Sequence, residues 1–113
     1  MKKFERMWLE QIDAIIENNI ANADFRLIDV TNELEISRAK LYRDILKLTG
    51  FTPSRYIQKK RLEKAKRMLE EGIFPTVKET AITVGFRRPE YFTKLFYREY
   101  AVLPVKVLKR DLY

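Results

Sequence analysis

The chain has no cysteine and no histidine. The first absence removes disulfides and thiolate metal sites. The second removes the commonest general base and the commonest transition-metal ligand. There is also no phosphate-binding loop, no paired carboxylate site and no metal-ligand spacing. An enzyme is therefore not expected, nor is a cofactor. No apolar run nears the ~20 residues of a membrane span, and nothing resembles a secretory signal. The expected compartment is the cytoplasm, with no membrane partner. Alternating strand patterns longer than a few residues are missing too. "AITVGF" is the one β-leaning patch, and the T-x-x-E that precedes it argues for helix.

What is present is a globule's composition on a short chain. At 113 residues, one domain or two very small ones sharing a helix can form, with a modest core. Apolar residues make up 46% and aromatics 12%, which argues against disorder. The net charge of +7 is uneven. Residues 1–36 hold four Lys/Arg against eight Asp/Glu, whereas residues 37–110 hold nineteen against seven. A basic block of that size suits a polyanion such as nucleic acid or an anionic membrane surface, or simply keeps a surface solvated.

Helical spacing recurs along the chain. Phe4, Trp8, Ile12, Ile15 and Ile16 form the stripe of an amphipathic first helix, with Glu10, Asp13 and Glu17 on its polar side. Leu27, Val30 and Leu34 share one face of a short second helix. Ser37 is a natural N-cap and Gly50 a natural stop for "RAKLYRDILKLT". Thr52, Pro53 and Gly72 bracket the clearest helix, and Pro89 and Pro104 each suit the first turn of a later one. The expected fold is all-α, with about seven helices.

The sequence also repeats itself. Leu27, Thr31, Leu34, Glu35 and Ile36 match Val77, Ala81, Val84, Gly85 and Phe86 at an offset of 50, and Leu41, Arg43, Ile45, Gly50 and Pro53 match Phe92, Lys94, Phe96, Ala101 and Pro104 at 51. Each copy reads as a short helix, a tight turn, a longer helix and a proline-led helix. A small residue at Ala81 lets two helices cross closely, and Gly85 can take the positive φ of the turn. That is a helix-turn-helix, whose second helix can enter a DNA major groove. In the first copy Glu35 must make the same turn without glycine's freedom. The expected layout is residues 1–53 as a first helix plus the first helix-turn-helix, 54–72 as a linker helix, and 73–113 as the second.

The segments "SRAKLYRDILKLTGFTPSRYI", "RLEKAKRMLEEG" and "TVKETAITVGFRRPEYFTKLFYREYAVLP" resemble the DNA-binding domain of AraC/XylS-type transcription regulators over residues 25–108. The overall style is similar to output domains of bacterial hybrid two-component systems. Three positions depart from the family pattern: Ala101 stands where glycine is usual, Leu103 replaces a capping serine, and Arg26 stands where another capping serine is common. The resemblance implies transcription regulation through two helices in successive major grooves of double-stranded DNA. Residues 54–71 as a helix would span about 27 Å at ~1.5 Å per residue, comparable to the ~34 Å between equivalent groove faces.

On the first groove-entering helix, Leu41, Ile45 and Leu48 face inward, and Ala39, Tyr42, Arg43 and Lys47 face out. Arg43 is the foremost base-contact candidate, since guanidinium pairs bidentately with guanine O6 and N7. Its other reading is a solvated cation. Tyr42 and Ala39 suit a thymine methyl, and Arg38 and Lys40 suit phosphates. Arg55 is a further phosphate candidate because it lies near a helix N-terminus. On the second helix, Phe86, Phe92, Phe96 and Tyr100 read as core. Family matching puts Pro89, Glu90, Tyr91 and Lys94 at base or backbone positions, and Arg88 and Arg98 complete that set. Glu90 could accept from a cytosine amino group or only stabilise the helix dipole. The run at residues 59–67, "KKRLEKAKR", reads as a charged solvent face over buried Leu62, Ala65, Met68 and Leu69.

A second function class stays open, a helical module that docks an acidic protein, with RNA polymerase a candidate partner. The polar face of the first helix would also suit contact with a sensor or effector domain of a longer parent chain.

Overall fold

The computed structural model describes residues 1–110; the last three residues of the expected second helix-turn-helix segment lie outside that range. Seven helices follow one another: α1 (Lys3–Asn19), α2 (Leu27–Leu34), α3 (Arg38–Thr49), α4 (Pro53–Glu71), α5 (Val77–Thr83), α6 (Pro89–Tyr100) and α7 (Pro104–Val107). No strand occurs among the described residues, and none of these helices is long and apolar enough to cross a membrane.

The chain forms two compact units. The first comprises Met1–Ile20 and Asp24–Lys60; the second comprises Ala21–Ala23 and the residues from Arg61 onward. The division falls inside α4, so each unit takes part of that helix. In the first unit Ile12, Ile15 and Ile16 of α1 meet Val30, Leu41, Ile45, Tyr56 and Ile57 in one apolar cluster. In the second, Leu62, Ala65 and Leu69 of α4 meet Ala81, Val84, Phe86, Phe92, Leu95 and Phe96.

The helix ends follow the expected chemistry. Ser37 Oγ accepts from the Lys40 amide at 3.1 Å, and Thr76 Oγ1 accepts from the Glu79 amide at 3.2 Å. These contacts satisfy amide donors that have no partner within the helix. α4 stops at Gly72, whose φ of +64° lets the Ile73 amide fold back onto Met68 O at 3.0 Å. A Cβ on Gly72 would meet Lys109 O at 3.0 Å, so close approach as well as φ calls for glycine there.

Three expectations need correction. Phe4 does not continue the α1 stripe into the core, since it is 68% exposed. Its ring instead walls an open groove of about 650 Å³ with Trp8, Lys40 and Leu48. Asp13 is no free surface acid, because its carboxylate accepts from Tyr56 Oη at 2.6 Å and sits 3.7 Å from Lys60 Nζ. The basic run of α4 is not wholly a solvent face, because Arg61 is buried. Asp13 and Arg61 are claimed by partners distant in the chain, whereas Phe4 lies beyond the reach of the first unit's core.

Candidate nucleic-acid interface

Both helix pairs turn by the same device. In the first, Glu35 adopts φ 54° and ψ 44°, and the Ile36 amide donates back to Thr31 O at 3.2 Å. In the second, Gly85 adopts φ 95°, and the Phe86 amide donates to Ala81 O at 3.0 Å. Glu35 therefore accepts the strained left-handed backbone that glycine takes without penalty. Ala81 is fully buried, as close crossing of α5 and α6 requires, while Thr31 turns its hydroxyl onto Ile28 O at 2.8 Å.

This turn fixes which face of each following helix looks outward. On α3, Leu41 and Ile45 are buried, while Arg38, Ala39, Tyr42, Arg43 and Lys47 are exposed. On α6, Phe92, Leu95 and Phe96 are buried, while Glu90, Tyr91, Lys94 and Arg98 are exposed and Pro89 is half-buried. Arg88 occupies the N-cap of α6 and is exposed. Arg55, on the first turn of α4, is exposed as well. The residues named from the sequence thus form one set on α3 with Arg55 in the first unit, and another on α6 in the second.

Two exposed side chains on the same faces were not singled out from sequence. Leu46 is 43% exposed and Tyr97 54% exposed, each one turn beyond Arg43 or Lys94. The signal was available, because they correspond at the same offset of 51 as Arg43 and Lys94.

Lys40 points differently from its neighbours. Its Nζ lies 3.0 Å from Asp44 Oδ2 and 5.8 Å from the Trp8 ring centroid. Trp8 Nε1 donates to the same carboxylate oxygen at 2.9 Å, which ties α1 to α3. Lys47 is mostly exposed and lies 3.7 Å from Glu5. Burial pushes the Asp44 carboxyl up, but the hydrogen bonds from Lys40 and Trp8 outweigh it and hold the group below its ordinary 3.8. A depressed carboxylate contributes stability above its unfolded pKa and loses it as pH falls through the folded value. Thermal melts from pH 7 down to pH 3 should therefore show a flatter acid limb in Asp44→Asn than in the wild type. Parallel acid limbs would contradict this role for Asp44.

A family model for a helix-turn-helix domain matches residues 30–110. The chain belongs to the AraC-type helix-turn-helix family. It is 31% identical over 110 residues, 97% of its length, to histidine kinase P4 of Formosa agariphila, but spans only 8% of that protein. Of the transcriptional activator RhrA of Rhizobium meliloti, 34% identical over 90 residues and 79% of this chain, it spans 28%. Among solved structures, it is similar to the C-terminal domain of the two-component response regulator yesN from Fusobacterium nucleatum. That match has 30% identity and a TM-score of 0.77, over 88% of this chain and 96% of the other. It is also similar to the DNA-binding domain of the global transcriptional factor AdpA, solved in complex with a target DNA. There the identity is 26% and the TM-score 0.77, over 87% and 86% of the two chains.

Within the AraC-type frame, the three departures resolve into local chemistry. Arg26 provides no side-chain cap, but its amide donates to Asp29 Oδ2 at 2.7 Å, so the acid one turn on closes the end of α2. Leu103 leaves α7 without a side-chain cap, and Pro104 at N1 removes one donor that would need one. Ala101 takes φ 57° and ψ 26°, the left-handed conformation that glycine usually supplies to the family. Ala101→Gly is expected to stabilise the protein by about 0.5–1 kcal/mol, because relief of strain exceeds the added unfolded-chain entropy. A urea midpoint unmoved or lowered in this variant would contradict the strain.

Proposed function

We propose that the chain is a sequence-specific double-stranded DNA-binding domain that regulates transcription, with α3 and α6 reading adjacent major-groove segments. The observation that carries this reading is the matched pair of outer faces. Each helix buries an apolar stripe beneath a face that offers a cation at the same register position, Arg43 in one and Lys94 in the other.

The chemistry divides between phosphate and base. Arg38, Arg55, Arg88 and Arg98 flank the central positions and suit phosphate oxygens, which set register and supply most of the affinity. Arg43 suits guanine O6 and N7, and Tyr42 with Ala39 suits a thymine methyl. Lys47 must exchange Glu5 for phosphate, and Lys40 is partly neutralised by Asp44. Both are therefore weaker contributors than their formal charge suggests. On α6, Pro89, Glu90, Tyr91 and Lys94 form the corresponding reading surface.

For regulation, we propose that the domain is the output of a longer two-component protein. The likeness to a histidine kinase over almost the whole of this chain supports that reading, as does the likeness to a response-regulator C-terminal domain.

Selection of binding sites from random double-stranded DNA at two salt concentrations tests the proposal. The expected result is a motif of two blocks one helical turn apart. If about six phosphates are contacted, affinity should fall by roughly a thousandfold between ~50 and ~200 mM salt. Salt-dependent binding without a motif would remove sequence specificity from the proposal. Absence of binding at low salt would overturn it.

A further inference from the structure

Arg61 is the buried member of the basic run on α4, since only 8% of it is exposed. Its Nη1 donates to Gly85 O at 2.6 Å, and its Nη2 donates to Asn22 O at 2.9 Å. Nε has no partner among the described residues, and no carboxylate there neutralises the charge. A buried cation held by carbonyls alone is poorly suited to stabilising a core. An apolar side chain of similar volume often serves stability as well or better. The guanidinium therefore calls for another explanation.

Its contacts supply one. Gly85 is the positive-φ residue of the α5–α6 turn, four residues before α6 begins at Pro89. The turn spends its own amides on α5, with Gly85 N bonded to Ile82 O and Phe86 N bonded to Ala81 O. The Gly85 carbonyl is left facing inward, and the orientation of its peptide sets the direction in which the chain enters α6. The second arm of the fork holds the Asn22 carbonyl in the α1–α2 connection, whose residues Ala21–Ala23 belong to the same compact unit as α6. The planar fork thus fixes two loops on α4 at once, which the single ammonium of a lysine could not match.

We infer that Arg61 is a positioning residue for DNA recognition by α6, acting through the Gly85 carbonyl rather than by touching DNA. The inference rests on the DNA-binding reading above. The test applies the same site selection to the full chain and to Arg61→Met and Arg61→Gln, alongside thermal melts. Wild type must first yield a two-block motif; if it does not, the functional reading fails, and this inference with it. Given that motif, the expected result is folded variants that keep the α3 block, lose the α6 block and bind about tenfold more weakly, within the range for residues that act through others. The blocks are assigned with Arg43→Ala and Lys94→Ala. A folded variant with both blocks and wild-type affinity would overturn the inference. So would equal weakening of both blocks, or unfolding of both variants, which would make Arg61 a residue of the core alone.

Discussion

Phe92→Ala is expected to destabilise the protein by about 3–5 kcal/mol, the usual cost of emptying a fully buried phenylalanine site. Phe92 has no exposed surface and sits in a row of rings. Its centroid lies 5.2 Å from Phe86 and 5.5 Å from Phe96, and Phe96 lies 4.7 Å from Tyr100. Tilted pairs at such distances add to the area they bury. A domain of this size commonly has only about 5–15 kcal/mol in all, so the loss is a large share of its stability. Urea unfolding would show it, and a change below about 1 kcal/mol would mean that the row is not the core of the second unit. The same row has a spectroscopic signature. Burial, then Glu63 and Glu99, push the Tyr100 phenol up to about 12. The folded state therefore keeps a proton that the unfolded chain releases near pH 10, and stability falls as pH rises from there. Tyrosinate absorbance in the wild type should show a late ionisation near pH 12 that Tyr100→Phe removes.

Arg43→Ala and Lys94→Ala are expected to damage recognition differently from charge removal elsewhere on the surface. Loss of a bidentate guanine contact costs about 1–3 kcal/mol and relaxes the preference at one base pair, whereas loss of a phosphate contact weakens all sequences alike. Arg43→Ala should thus blur one position in the α3 block of a selected motif, and Lys94→Ala one in the α6 block. Lys109→Ala serves as the control: an exposed cation beyond α7 that should leave the motif intact and change affinity little. If Arg43→Ala and Lys94→Ala both preserve the full motif, the outer faces of α3 and α6 are not the reading surface.

Much of this organisation is legible in the sequence. Helix boundaries came within a residue or so because Ser37, Thr52, Thr76, Pro89 and Pro104 carry their instructions locally, in one turn of backbone. The matched register of Arg43 and Lys94 followed from the repeat, since equal spacing from equal turns puts equal positions on equal faces. The family likewise followed from motif order.

Tertiary structure decided what periodicity cannot express. Phe4 obeys the α1 stripe yet is exposed, because an apolar pattern marks a face without saying how far its partner extends. Leu46 and Tyr97 are large side chains that stay at the surface, while Arg61 sits in a run that reads as surface and is buried. Asp13 and Asp44 became partners of Tyr56 and Trp8, 43 and 36 residues away. The sequence by itself determined the helices, their caps, the double turn and the sign of the charge on each part, all properties of residues within a few positions of one another. Which charges are spent inside the protein, and which remain outside for a partner, depends on neighbours distant in the chain, and only the folded structure brings those together.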